Sequence, residues 1–98
     1  MDVKSREEII KFAQKLNSTN LSPLRSGNIS LKAQNNNEEG FLITPSGKKY
    51  DSLKADDIVF VSLEGRYDEK GLQPSSEWRF HKDIYLKKAD AKAVVHAH

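Results

Sequence analysis

The chain is 98 residues long with 37% hydrophobic and 31% charged residues, so its composition supports one small domain with a modest apolar core. Sixteen basic and fourteen acidic side chains leave a net charge of +2, and the lysines form no stripe interleaved with aromatics, which argues against a nucleic-acid surface. Cysteine is absent, which excludes thiolate metal ligands and disulfides within the chain, and no apolar run approaches the ~20 residues of a membrane span. The expectation from these features is a soluble cytoplasmic protein.

The first predicted element is a helix beginning at Ser5. Ser5-Arg6-Glu7-Glu8 has the spacing of a capping box, and Ile9, Ile10, Phe12, Ala13 and Leu16 follow as an apolar stripe fading near Asn17. A polar loop containing Pro23 comes next. Asn28 to about Gln34 alternates polar and apolar residues, as does a strand covered on one side. Asn35 to Glu39 reads as a hairpin connection into a second strand, Gly40 to Thr44, which Pro45-Ser46-Gly47 ends sharply.

Ile58-Val59-Phe60-Val61 is a β-branched run expected to form a buried strand, and Glu64 to Leu72 an exposed connection. A second helix is expected to open at Pro74-Ser75-Ser76-Glu77, with Ser75 or Ser76 as its cap and Glu77 in its first turn. Trp78, Phe80, His81, Ile84 and Tyr85 supply its apolar side, and Lys87-Lys88 suit its C-terminal end. Ala93 to His98 forms the last strand. This order predicts a mixed α/β domain with antiparallel pairing across the short connections.

Three groups of residues could carry chemistry. His96 and His98 lie two apart on a strand, so they share a face with Cα atoms roughly 6.5–7 Å apart and can converge on one ion. The bland reading is a pair of solvent-facing imidazoles, and two ligands do not close a zinc site. Glu77 is the natural third group, although an acid after serine at a helix start is also ordinary capping. His81 lies four residues on, where a hydrogen bond to a neighbour is the expected role. Three turns, Ser26-Gly27-Asn28, Thr44-Pro45-Ser46-Gly47 and Pro74-Ser75-Ser76, combine glycine or proline with hydroxyl or amide donors suited to a phosphate. Loops commonly have this composition, so each turn alone says little. Gly47-Lys48 lacks the spacing of a nucleotide phosphate loop.

Taken together, SGNISL, GFLITPSG, DIVFV, QPSSEWRFHKDIY and AVVHAH resemble the class II aldolase/adducin family from about Glu8 to His98, with its L-fuculose-phosphate aldolase branch the nearest likeness. The resemblance implies a mixed, largely antiparallel central sheet flanked by helices, an α/β/α arrangement. It also implies one zinc ion per site, held by three histidines, two of them matched by His96 and His98. Glu77 matches the glutamate that lies at the resting metal and serves as acid/base. Gly27, Asn28, Ser46, Gly47, Ser75 and Ser76 match the turns that hold the substrate phosphate.

The implied reaction cleaves a ketose 1-phosphate to dihydroxyacetone phosphate and an aldehyde, with a metal-stabilised enediolate and a homotetrameric assembly. A glutamate at position 77, where the related pentulose-phosphate 4-epimerases usually carry aspartate, favours the aldolase branch. A non-catalytic, adducin-like binding module is the contrasting reading. Family domains run to roughly twice this length, so residues 1–98 are expected to be the N-terminal portion of one domain. The C-terminal portion, with the third histidine, is expected to belong to a longer chain, with a second polypeptide or a free-standing remnant as the other readings. Alone, such a portion is expected to be inactive and, with strand faces and edges uncovered, poorly soluble or oligomeric.

Overall fold

A computed structural model describes residues 3–18, 28–47 and 50–96. Helix α1 runs Val3–Ser18, strand β1 Asn28–Asn35, β2 Glu38–Ile43, β3 Val59–Ser62, helix α2 Trp78–Lys87 and β4 Ala93–His96. Short 3-10 turns at Tyr50–Ser52 and Ala55–Asp57 lead into β3. The strands form one sheet in the order β3-β2-β1-β4, and every pair is antiparallel.

The β1–β2 hairpin turns on Asn36 and Asn37 alone, whose φ angles of 51° and 68° are left-handed. Asparagine tolerates that region, and a two-residue turn of this hand matches the twist of the strands it joins. It sets the register Asn35↔Glu38 through Ser30↔Ile43. The turn is thus shorter than the polar stretch 35–39 suggests, and both strands extend further toward it.

Side-chain alternation along the strands sends two apolar sets to opposite faces. Ile29, Leu42 and Ile58 pack with Ile9 and Ala13 of α1 on one face. Phe41, Ile43, Val59, Val61 and Val94 pack with Tyr85 of α2 on the other. Each large side chain fully buried in this way contributes ~1.5–3 kcal/mol. The outcome is the helix–sheet–helix layering expected from the family resemblance. Gly40 leaves β3 the space a side chain would fill, since a Cβ there would lie 2.2 Å from the Val61 carbonyl oxygen.

Four details differ from the sequence reading. Helix α1 already includes Val3, so Ser5 lies within it and does not cap it. Phe12 is 55% exposed, because the inward line of α1 runs through Ile9 and Ala13. Helix α2 begins at Trp78 with Glu77 as its N-cap residue, one position later than a Ser76 cap and two later than a Ser75 cap would place it. Strand β1 is covered on both faces at its start, where Asn28, Ile29 and Ser30 are all buried.

Candidate active site

One end of the sheet gathers the predicted site residues. Asn28 opens β1 and pairs with His96 at the end of β4, so the two share the face covered by α2. Thr44, just past β2, binds back to β1: its N–H donates to the Ile29 carbonyl at 3.1 Å, and its Oγ1 accepts from the Ile29 N–H at 3.4 Å. The loop after β2 is then stitched to the loop before α2. Ser75 N–H donates to the Thr44 carbonyl and Ser46 N–H to the Gln73 carbonyl, both at 2.9 Å, around an isolated Pro45–Pro74 bridge. These bonds bring Asn28, Ser46, Gly47, Ser75, Ser76, Glu77 and His96 to one region. Gly27 and His98 lie outside the described residues.

The stitching decides which groups can serve an anion. The N–H groups of Ser46 and Ser75 are already committed to carbonyls. Ser75 Oγ accepts from the Glu77 N–H at 3.2 Å, which leaves the hydroxyl its own proton to donate. Gly47 has a φ of +74° with open space around it, a backbone shape that glycine adopts without strain. Among the described residues, the donors left here are hydroxyl and amide side chains together with the Gly47 and Ser76 N–H groups.

Glu77 is held by backbone rather than by its carboxylate. Its side chain makes no cap hydrogen bond to the helix. Instead its Oε2 lies 3.8 Å from His96 Nδ1. That gap is too long for a hydrogen bond, yet two ligands each ~2.0–2.2 Å from one ion can span it. His96 Nδ1 is itself buried, and Phe80, 44% exposed, lies against the ring with centroids 4.8 Å apart. The donor set, imidazole nitrogen facing carboxylate oxygen, fits zinc. Among the described residues no cluster of three such ligands occurs, so Glu77 and His96 form only part of a metal site.

Behind this surface lies a polar group that the sequence reading missed. Asn28 Oδ1 is hydrogen-bonded to His81 Nε2. His81 Nδ1 meets Ser30 Oγ at 2.7 Å, and Ser30 Oγ meets the Tyr85 hydroxyl at 2.8 Å. All four residues are buried. His81 does hydrogen-bond to neighbours, as expected, and it is fully buried. Two signals pointed to the group. Glu77, His81 and Tyr85 recur every four residues along one helix face, and Ser30 alternates with apolar neighbours on β1.

Burial, and secondarily the nearby His96, pushes the His81 pKa down from 6.5 to about 4. Burial also raises that of Tyr85, against the opposing effect of its hydrogen bonds with Ser30 and the Val94 backbone. His81 is therefore neutral at pH 7, and the unfolded chain takes up its proton before the folded one. This contribution to stability is full above about pH 6.5, falls as the pH drops toward about 4, and is level below. Moving from pH 7 to pH 5 should cost on the order of 2 kcal/mol through His81. Urea unfolding at the two pH values checks it, and a His81→Gln chain should lose that component of the pH dependence.

A cleft of about 670 Å³ lies elsewhere, lined by Arg6, Glu38, Ile58, Phe60, Arg66 and Leu72 among others. It contains none of the predicted site residues, and its cations are already engaged. Arg6 donates to the Ala55 and Ile58 carbonyls, and Arg66 pairs with Glu38 and Glu64.

Known proteins resemble this arrangement along the whole chain. The chain is 41% identical over 93 residues to a 5-methylthioribulose-1-phosphate/5-deoxyribulose-1-phosphate aldolase of Rhodospirillum rubrum, covering 95% of this chain and 40% of that protein. It is 40% identical over 95 residues to the L-fuculose phosphate aldolase of Escherichia coli, covering 97% and 42%. A solved L-fuculose 1-phosphate aldolase superposes with a TM-score of 0.87 at 34% identity, covering 100% of this chain and 45% of that one. The chain thus spans about two fifths of the length of the curated relatives it matches. Residues 7–98 match the family described as the Class II Aldolase and Adducin N-terminal domain, and the chain belongs to that family.

Proposed function

We propose that these residues form the phosphate-binding and part of the metal-binding half of a zinc-dependent class II aldolase acting on a ketose 1-phosphate. The observation that carries this reading is the convergence of three donor-bearing segments with Glu77 and His96 at one sheet end, through the Asn28↔His96 pairing and the Thr44–Ser75 bond. The names of the relatives support the substrate class, since they describe aldolases of sugar phosphates.

His96 and Glu77, with His98 beside them in sequence, would hold the zinc; when bound, it supplies Lewis-acid polarisation of the substrate carbonyl. Asn28, Ser46, Gly47, Ser75 and Ser76, with Gly27, would bind the phosphate and so fix the reacting carbons relative to Glu77. Cleavage breaks the C3–C4 bond. The C4 hydroxyl loses its proton as the aldehyde forms, and C3 must gain one to give dihydroxyacetone phosphate. Glu77 is the carboxylate placed to move a proton at C3. The completed enzyme is proposed to be a homo-oligomer, as a tetramer, and to work in the cytoplasm. No helix of the described residues is long and apolar enough to cross a membrane.

The test is zinc-dependent release of dihydroxyacetone phosphate from fuculose 1-phosphate and from 5-deoxyribulose 1-phosphate by the protein carrying this segment. Chelation should abolish it and zinc restore it. Activity indifferent to a chelator would overturn the reading.

A further inference from the structure

We propose that Tyr85, Ser30 and His81 form a one-way hydrogen-bond relay that locks the Asn28 carboxamide with its amino group turned toward the substrate's anionic oxygens. The ligand in this statement rests on the reading above, whereas the locked orientation stands on the geometry alone. A neutral imidazole has one donor and one acceptor nitrogen. Asn28 Oδ1 can only accept, so the His81 nitrogen facing it, Nε2, carries the proton. Nδ1 is then the acceptor, and the group 2.7 Å away is the Ser30 hydroxyl, which must donate. Ser30 Oγ in turn accepts from the Tyr85 hydroxyl at 2.8 Å. Each donor is used once and all run toward Asn28.

The relay is hard to reverse or escape. Phe41 stacks on Tyr85 at 5.3 Å and lies 6.4 Å from the His81 ring, while Phe80 meets His81 edge-on at 6.0 Å. A flipped Asn28 would require the whole chain to run backwards, leaving the buried Tyr85 hydroxyl, which would then accept from Ser30, with no acceptor for its own proton among the described residues. Among the described residues the Asn28 side chain makes this one hydrogen bond, so its amino group is left to donate elsewhere. Asn28 stands across from His96 at the site end of the sheet. His81 and Ser30 are 0% exposed and Tyr85 2%, so they act through Asn28 as positioning residues.

The test uses the whole chain labelled with nitrogen-15. Long-range proton–nitrogen correlation at pH 7 should show His81 protonated on Nε2 and bare on Nδ1. A His81 protonated on Nδ1 overturns the relay without any ligand being involved. Titration with inorganic phosphate should then shift the Asn28 side-chain amide together with the Gly47 and Ser76 backbone amides. Ser30→Ala should mix the tautomers and weaken phosphate binding about tenfold, the worth of one hydrogen bond to a charged group. Ser30→Thr, which keeps the hydroxyl, should restore both. Phosphate that shifts Gly47 and Ser76 while leaving Asn28 unmoved would overturn the proposal. Phosphate that shifts none of the three, with Nε2 protonated, would leave the locked orientation standing and count against the sugar-phosphate reading. The wild-type tautomer needs no variant, so a substitution that fails to fold does not protect the proposal.

Discussion

If the proposed zinc-dependent aldolase reading holds, Glu77→Gln is expected to reduce the release of dihydroxyacetone phosphate by roughly 10²- to 10⁴-fold, the contribution of one positioned acid/base. Glutamine keeps the size and polarity of the side chain and removes only its ability to carry a proton and a negative charge. The fold should not notice. The Glu77 carboxylate makes no cap hydrogen bond at the start of α2, and the turn there is held by the Ser75 hydroxyl and backbone. Stability should therefore stay within ~0.5 kcal/mol of the parent. Because Oε2 lies 3.8 Å from His96 Nδ1, the same change can also lower zinc affinity, and metal content must be measured beside the rate. A fully metallated Glu77→Gln enzyme retaining a tenth of its activity would remove Glu77 from the proton-transfer role.

Phe41→Ala should be the most destabilising single truncation on the α2 side of the sheet, at ~3–5 kcal/mol. Phe41 is fully buried, with Ile43, Val61 and Tyr85 in its cluster. Its removal would leave a cavity next to the rings of Tyr85 and His81, whose stacking it supports. Urea unfolding reads the loss as a lower midpoint. A second consequence separates this site from other core positions. With Phe41 gone, Tyr85 and His81 gain room to move, and the Asn28 amide should lose its single orientation. A variant that loses less than ~1.5 kcal/mol would show that the α2 layer packs less tightly than the structure describes.

Much of this was legible from local pattern. The two helices and four strands follow from hydrophobic period, and the polar stretch 35–39 marked the hairpin, whose turn the structure narrows to Asn36 and Asn37. The motifs around Ser46, Ser75, Glu77 and His96 stood out because hydroxyls, glycine, carboxylate and imidazole carry recognisable chemistry in small spans. Helix starts were less legible. Ser75 suggested a cap, yet its backbone is drawn to Thr44, so the helix begins only at Trp78.

The polar residues of β1 mark the boundary between the two kinds of information. Alternation along NISL determined that Asn28 and Ser30 share one face and Ile29 the other. It did not determine which face meets water, because a polar side chain can be satisfied by solvent or by a partner. The tertiary structure decided that. Antiparallel pairing set Asn28 against His96, and α2 laid His81 and Tyr85 over Ser30, from more than fifty residues away. A hydrogen bond depends on distance and direction in space, and period along the chain carries neither for groups so far apart.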